Sequence, residues 1–144
     1  MKPAKYWIVV ASEDHVRRGI RENIIQACHG KATPLQRMRP GDWVVVYSPK
    51  NRFGGTQKCQ KFTAIGQVAD APVYKQALTA DFEPYRRKVN YHPCREVPIQ
   101  PLVPQLSFIL NKQRWGYLFR TGFFEIFAPD FNLLAALLLA TNHD

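Results

Sequence analysis

Short apolar segments separated by turn residues recur along the chain and predict β-strands. Residues 6–11 are continuously apolar and rich in aromatic and β-branched side chains, which is typical of a strand buried on both faces. In residues 85–91 the apolar side chains alternate with polar ones, which also favours a strand. The predicted strands are residues 6–11, 43–47, 62–68 and 85–91, followed by a last hairpin formed by residues 116–122 and 123–127 around Thr121-Gly122.

Helical periodicity first appears directly after the first strand. Val16, Ile20 and Ile24 recur every four residues and predict the apolar stripe of a helix. Ser12 is expected to cap this helix, and the acidic residues that follow it suit a first helical turn.

Two further helical segments and two irregular ones are predicted. Thr33-Pro34 indicates a helix start, with one short turn through Met38, because proline is favoured at the first helical position. Residues 48–59 carry turn residues and predict a loop, and four prolines in residues 93–104 predict an extended, irregular chain. Near the end, Asp130 is expected to cap a closing helix whose core-facing residues are Phe131, Leu134, Leu137 and Leu138.

Together these elements predict an α+β fold. Five or six short strands with few helices are typical of a small mixed β-barrel with peripheral helices. A chain of 144 residues is long enough to bury a core without disulfides or a metal, so one domain over residues 1–144 is expected.

The charge balance points to polyanionic partners. The chain has 20 lysines and arginines against 11 acidic residues, a formal net charge of +9 at pH 7. An excess of that size on a small domain favours nucleic acid as the partner, and the alternative is that the charge serves solubility alone.

The cysteines and the terminal segments indicate a cytoplasmic protein. Cys28, Cys59 and Cys94 are scattered and form no CxxC pair, as expected of reduced thiols in a cytosol. The apolar segment at the N-terminus is too short for an export signal. The apolar run over residues 131–140 is shorter than the ~20 residues that span a bilayer, so no membrane partner is expected.

A series of short motifs carries a family resemblance over nearly the whole chain. The motifs are Tyr6-Trp7-Ile8-Val9-Val10-Ala11-Ser12, Cys28-His29-Gly30-Lys31, Pro34-Leu35-Gln36-Arg37-Met38, Gly41-Asp42, Tyr47-Ser48-Pro49-Lys50, Gln60-Lys61-Phe62-Thr63-Ala64-Ile65-Gly66, Pro84-Tyr85-Arg86-Arg87, Leu106-Ser107-Phe108-Ile109, Trp115-Gly116 and Arg120-Thr121-Gly122. In this order they resemble the EVE domain family, a branch of the PUA-like fold. The resemblance implies a PUA-like barrel, a fold associated with binding RNA or modified nucleobases. It also implies kinship with YTH domains, which hold a methylated adenine in an aromatic cage.

A base-binding pocket is predicted around the turn at residues 28–31. Gly30 would let the backbone approach a base closely, His29 would stack or form a hydrogen bond, and Lys31 would meet a phosphate. The alternative is a plain turn that needs Gly30 for its conformation and directs Lys31 to solvent. Ends of neighbouring strands and nearby aromatic rings complete the predicted ligand-binding set: Ser12, Cys28, His29, Gly30, Lys31, Tyr47, Ser48, Phe62 and Trp115.

Basic residues near aromatic ones are the candidates for phosphate contacts. Similarity to YTH domains favours Arg86 and Arg120, and the charge pattern adds Arg87 and Lys50. If the basic groups share one face they form a phosphate track, and if they are scattered they are solvated surface.

The sequence therefore predicts non-catalytic recognition of a nucleobase within RNA or DNA, without a cofactor. The family resemblance implies that this nucleobase is a modified one. Zinc is disfavoured because no usual ligand spacing appears around Cys28-His29 or His92-Pro93-Cys94. An enzyme that uses a Cys/His nucleophile on a nucleotide-like ligand is one alternative, with Cys28 or Cys94 activated by a nearby histidine. A protein-interaction module that uses exposed aromatic residues and the proline-rich segment is another. The sequence does not distinguish RNA from DNA or give the oligomeric state.

Overall fold

The computed structural model describes residues 3–140, and its central feature is a mixed β-sheet. The strands are β1 (Tyr6–Val10), β2 (Ile24–Ile25), β3 (Trp43–Lys50), β4 (Lys58–Val68), β5 (Tyr74–Lys75), β6 (Tyr85–Tyr91), β7 (Val97–Pro98) and β8 (Phe123–Ile126). The path β2-β6-β4-β3-β1-β8 curls into a half-barrel, while β5 pairs with β6 and β7 pairs with β4. The predicted mixed barrel of five to six strands is therefore confirmed.

Three α-helices and two 3-10 helices surround the sheet within the described residues. They are α1 (Glu13–Glu22), α2 (Ala32–Arg37), α3 (Ala128–Leu138) and the 3-10 helices Gln100–Gln105 and Tyr117–Thr121. No helix among residues 3–140 has both the length and the apolar content needed to cross a membrane.

Strand β1 is apolar throughout because both of its faces are covered. It pairs in parallel with β3 and antiparallel with β8. Ile8 faces the core cluster that contains Leu106 and α3, whereas Trp7 and Val9 face the cluster that contains Val16 of α1 and Leu35 of α2. A strand with cores on both sides loses the polar alternation of a half-exposed strand, as the sequence predicts for residues 6–11.

A buried carboxylate sets the relative position of β1 and β3. Asp42 is 3% exposed and accepts hydrogen bonds from Trp7 Nε1 at 2.9 Å, from the amide of Lys5 at 3.0 Å and from the amide of Arg39 at 2.9 Å. Because the two strands start beside this carboxylate, their residues pair in order from Tyr6 with Trp43 onwards.

The apolar stripe predicted for α1 is wrong in its last two residues, Ile20 and Ile24. The helix ends at Glu22 because Asn23 adopts a left-handed conformation with φ of 56° and donates its amide to the carbonyls of Gly19 and Ile20. Ile20 is 39% exposed, and Ile24 belongs to β2, where it pairs with Lys88. Ser12 does occupy the capping position, with its hydroxyl bonded to Asp14 rather than to a helix amide.

The bounds of α2 and of the first long loop also differ from prediction. Helix α2 begins at Ala32, with Lys31 as its capping residue, two positions before the predicted start. Strand β3 continues to Lys50 and β4 begins at Lys58, so the predicted loop is reduced to residues 51–57.

The predictions for the C-terminal third are corrected most. Residues 93–104 contain β7 and much of a 3-10 helix, and Ile99 and Leu102 are core residues. Residues 116–122 form the second 3-10 helix instead of a hairpin strand, and β8 pairs with β1. Asp130 lies inside the first turn of α3, where its buried carboxylate accepts the amides of Ser107 and Phe108.

Candidate functional site

Alternation along β1 and β3 gives the sheet two different cavities, one on each face. Val9 and Val46 line a cavity of about 510 Å³, which we call cavity A. Val10 and Tyr47 line a cavity of about 620 Å³, which we call cavity B. Since successive side chains of a strand point to opposite faces, neighbouring residues of the same two strands serve different cavities. The predicted pocket combined residues that belong to both of them.

Aromatic and imidazole rings are grouped on the wall of cavity A. Phe53, 64% exposed, stacks on His15 with ring centres 5.2 Å apart and meets His29 edge-on at 6.2 Å. The loop that carries Phe53 is tied to the start of α1, because Asp14 accepts hydrogen bonds from the Phe53 amide at 3.2 Å and from Ser12 Oγ at 2.5 Å.

The charge on Asp14 is favoured by these contacts. Burial acts to raise the pKa of Asp14, but the hydrogen bonds from Ser12 and from the amides of His15 and Phe53, together with the nearby His15 ring, hold the pKa below its usual value. Asp14 therefore remains an acceptor for both groups at neutral pH.

The turn at residues 28–31 borders cavity A and has an unusual backbone. Cys28, His29 and Gly30 all have positive φ, at 49°, 62° and 83°. A Cβ atom on Gly30 would lie 2.5 Å from Cβ of Pro84, so both the conformation and the close approach require glycine. The Gly30 amide donates to the carbonyl of Ala27 at 3.0 Å, so this amide is not free to bind a base.

A second feature of cavity A is a fixed side-chain amide. Arg86 is 8% exposed, and its Nε donates to Oε1 of Gln26 at 2.7 Å, while Nη1 lies 3.5 Å from Oε2 of Glu22. The guanidinium therefore fixes the orientation of the Gln26 amide. Gln26 Nε2 has no acceptor among the described residues, and Gln26 lines the cavity together with Arg18 and Arg86. Arg86 was predicted as a phosphate contact, but its guanidinium is bonded to Gln26 and Glu22 of the protein itself.

Cavity B brings together three of the predicted residues. Tyr47 is 2% exposed and contacts Phe119 with ring centres 4.2 Å apart and Trp115 edge-on at 6.5 Å. Arg120, on the 3-10 helix Tyr117–Thr121, lies with its guanidinium carbon 5.1 Å from the centre of the Tyr117 ring. Burial raises the pKa of Tyr47, so its hydroxyl stays protonated at neutral pH.

The remaining predicted residues lie outside the two cavities. Phe62 and Ser48 are fully buried, and the Ser48 hydroxyl is 2.8 Å from that of Thr63. Arg87 is 7% exposed, and its Nη1 donates to the carbonyls of Leu35 and Met38 at 2.8 and 2.7 Å, so it binds the backbone of α2. Lys31 and Lys50 are exposed.

The thiols show no nucleophile geometry within residues 3–140. Cys28 Sγ is 3.7 Å from the carbonyl oxygen of Thr121, and Cys94 Sγ is 3.9 Å from that of Thr63. His92 Nε2 is paired instead with Gln67 at 3.4 Å. Burial raises the pKa of Cys94, which lowers its thiolate fraction. No group of three or more metal-ligating side chains occurs among the described residues.

Sequence reasoning missed Gln26, Phe53 and Phe82 as cavity residues. Phe82 is 42% exposed and lies near Gly30, 3.6 Å from a Cβ placed there. A usable signal existed for Phe53, since an aromatic residue in a glycine-rich loop between two strands has no core to fill. Gln26 offered no such signal, because its role depends on pairing with Arg86, 60 residues away.

The half-barrel with its peripheral helices defines the protein as a domain of the PUA-like class. Solved structures of similar fold support this at the level of fold alone. They include Rpa0253 from Rhodopseudomonas palustris, with 16% identity, a TM-score of 0.55 and 90% of each chain covered. Another is PSPTO5229 from Pseudomonas syringae, with 13% identity, a TM-score of 0.56 and coverage of 91% of this chain and 97% of that one.

The chain belongs to the EVE domain family, whose model matches residues 5–137. A UPF0310 protein from Bacillus licheniformis is 51% identical over 123 residues, which are 85% of this chain and 84% of that protein. A UPF0310 protein from Mycobacterium avium is 47% identical over 132 residues, which are 92% of this chain and 96% of the relative. These matches confirm the family resemblance drawn from the motifs.

Proposed function

We propose that this protein is a non-catalytic nucleic-acid-binding module that takes one unstacked, modified nucleobase into cavity A. The observation that carries the proposal is the pairing of an exposed ring with a fixed amide in one cavity. Phe53 provides the ring, and Gln26, held by Arg86, provides the amide. A volume of about 510 Å³ lies within the ~300–1,000 Å³ of common ligand sites.

Stacking on Phe53 would supply much of the affinity. The ring is supported by His15 on one side and is 64% exposed, so a base can cover its free surface. Base–aromatic stacking contributes ~1–3 kcal/mol per base and is largely independent of sequence.

The Gln26 amide would supply recognition of the base edge. Because its Oε1 accepts from Arg86, its Nε2 is left to donate to an acceptor atom on a base. Discrimination follows, since a base without an acceptor at that position would leave this donor unpaired.

The apolar part of cavity A favours a base that carries an added methyl group. Val9, Val46 and Ala27 are nearly fully buried and form an apolar wall of the cavity. A methyl group placed against this wall would contribute ~0.8 kcal/mol, about a four-fold preference over the unmodified base.

The net charge of +9 supports nucleic acid as the partner, with Arg18 at the cavity as a candidate phosphate contact. We propose that the protein acts in the cytoplasm, as expected from its scattered, unpaired cysteines.

The test is a titration of labelled oligonucleotides, single-stranded and duplex, with and without one methylated adenine or cytosine, at two salt concentrations. We expect salt-sensitive binding that is strongest for one methylated base in a single strand. Phe53→Ala should weaken this binding about 5- to 160-fold through lost stacking. Phe127→Ala is the matched control, because Phe127 is 73% exposed and lies outside both cavities.

Two results would overturn the proposal. One is absence of binding to every oligonucleotide at low salt. The other is equal loss of affinity in Phe53→Ala and Phe127→Ala, which would show that cavity A is not the base site. Unusually fast labelling of Cys28 by a thiol reagent near neutral pH would instead favour the Cys/His enzyme.

A further inference from the structure

Cavity B has aromatic walls on the opposite face of the sheet from cavity A. Trp115 is half-buried and Tyr117 is 66% exposed, and both line the cavity beside the buried Tyr47 and Phe119. Partly exposed rings next to a cavity of about 620 Å³ provide stacking surface for a flat ligand.

The charged side chains of cavity B are all cationic among the described residues that line it. Arg114 and Arg120 are exposed, and neither forms an ion pair within residues 3–140. Two guanidinium groups without a carboxylate partner, one of them lying over Tyr117, are suited to an anion with an adjacent ring.

Tyr47 adds an unused hydrogen-bonding group. The residue is 2% exposed, yet no hydrogen bond joins its hydroxyl to any of the described residues. Among the described residues, the enclosed side-chain oxygen and nitrogen atoms that lack a partner are Asn51 Oδ1 and Arg87 Nε, so the Tyr47 hydroxyl is not enclosed and is open to water or to a ligand atom. Its position in the wall of cavity B indicates where a polar atom of a ligand would lie.

The linings of the two cavities come close to each other at one contact. Cys28, which lines cavity A, lies 3.7 Å from the carbonyl oxygen of Thr121, the residue that follows Arg120 of cavity B. Both cavities also use neighbouring residues of β1 and β3, so an oligonucleotide that leaves cavity A beside Cys28 would have Arg120 close to it.

We infer that cavity B is a second nucleotide subsite for a neighbouring nucleotide of the same single strand. Its base stacks against Trp115 or Tyr117, its phosphate is bound by Arg114 and Arg120, and the Tyr47 hydroxyl bonds to a polar atom of the nucleotide. This inference rests on the proposed function of cavity A, which gives the course of the nucleic-acid strand. The residues that form the site in cavity B are different from those of cavity A.

The experiment measures fluorescence anisotropy of a fluorescein-labelled single-stranded hexanucleotide that carries one methylated base. We compare the wild type with Arg120→Gln and Trp115→Leu in cavity B, Phe53→Ala in cavity A and Arg39→Gln as control. Arg39 is exposed, lies outside both cavities and makes no ion pair within the described residues.

We expect Trp115→Leu to weaken binding at least about five-fold. Arg120→Gln should reduce the salt dependence of log affinity by ~0.7 in slope, the value for one lost phosphate contact on a single strand, and Arg39→Gln should change neither quantity. Arg120 is exposed, so its substitution tests the subsite even if Trp115→Leu impairs folding.

A parallel titration with adenosine monophosphate and adenosine separates the phosphate from the ring. The monophosphate should bind more tightly than the nucleoside, and Arg120→Gln should remove the difference, whereas Phe53→Ala should not.

The outcomes separate the two proposals. Loss in Phe53→Ala with wild-type binding in both cavity B variants overturns the subsite and leaves the proposed function standing. Loss in the cavity B variants with wild-type binding in Phe53→Ala supports a nucleotide site in cavity B and removes the proposed function of cavity A. Absence of all binding overturns both.

Discussion

The Nε atom of Arg86 donates a 2.7 Å hydrogen bond to Oε1 of Gln26, and this bond joins β6 to the segment between β2 and α2 at the wall of cavity A. Arg86 is nearly buried, so the bond is made where water competes little and orients the amide firmly.

Replacing Arg86 should therefore affect stability and recognition together. In Arg86→Met the Gln26 oxygen loses its donor, and we expect the free energy of unfolding to fall by ~1–3 kcal/mol and the discrimination between bases with and without an acceptor facing Gln26 to disappear. Urea denaturation and oligonucleotide titration measure the two effects. Glu22→Gln is the control, since it weakens only the 3.5 Å ion pair to a half-exposed carboxylate and should cost under ~1 kcal/mol. Equal effects of both substitutions would contradict this role of Gln26.

The turn at residues 28–31 should be intolerant of a side chain at Gly30. Gly30→Ala introduces a Cβ that would lie 2.5 Å from Pro84 Cβ, in addition to the strain of a φ of 83°. Gly54→Ala is the matched control, because Gly54 has a φ of 74° and open space around its Cβ position. We expect ~1–2 kcal/mol of destabilisation for Gly54→Ala and ~1–3 kcal/mol more for Gly30→Ala, measured by thermal or urea unfolding. Similar losses would mean that Pro84 moves aside freely.

The pKa of Asp14 predicts a pH dependence with a defined sign. Because this pKa is lower in the folded protein than its ordinary value of 3.8, the ionised carboxylate stabilises the fold above that value. The stabilisation is lost as the pH falls through the lowered pKa. Melting temperatures of the wild type and Asp14→Asn should therefore differ at pH 7 and converge below about pH 4. A difference that grows on acidification would contradict this sign.

Arg87 should behave as a structural residue. Arg87→Met removes the donor to the carbonyls of Leu35 and Met38, and we expect a loss of ~1–3 kcal/mol in the free energy of unfolding. The salt dependence of oligonucleotide binding should stay at the wild-type slope, because the guanidinium is bonded to the backbone and not free for phosphate. A slope lowered by ~0.7 would restore Arg87 as a phosphate contact.

The apolar patterns were sufficient to predict where the central strands lie but not which strands pair with them. Residues 43–47 are apolar without a break and residues 62–68 are mostly apolar or β-branched, which is the composition of strands buried on both faces. The pairing of β8 with β1 joins residues more than 110 positions apart, and no local pattern encodes it. The apolar stripe through Ile24 failed for a similar reason, since the backbone at Asn23 overrides the periodicity.

For the candidate site, the sequence indicated the turn at residues 28–31 but not its neighbours. The placement of Phe53 depends on the hydrogen bond from its amide to Asp14, 39 residues away. The assignment of Tyr47 to the same pocket as the turn at residues 28–31 was avoidable in principle. Strand alternation already separates Tyr47 from Val46, and only one of them can face α1.

The shared use of β1 and β3 has a consequence for insertions and deletions. Val9 pairs with Val46 and Val10 with Tyr47, and each pair supplies one residue of each strand to a single cavity. A one-residue insertion ahead of Val9 would turn Val9 towards cavity B and Val10 towards cavity A. The length of β1 therefore cannot change by one residue without rebuilding the linings on both sides of the sheet together.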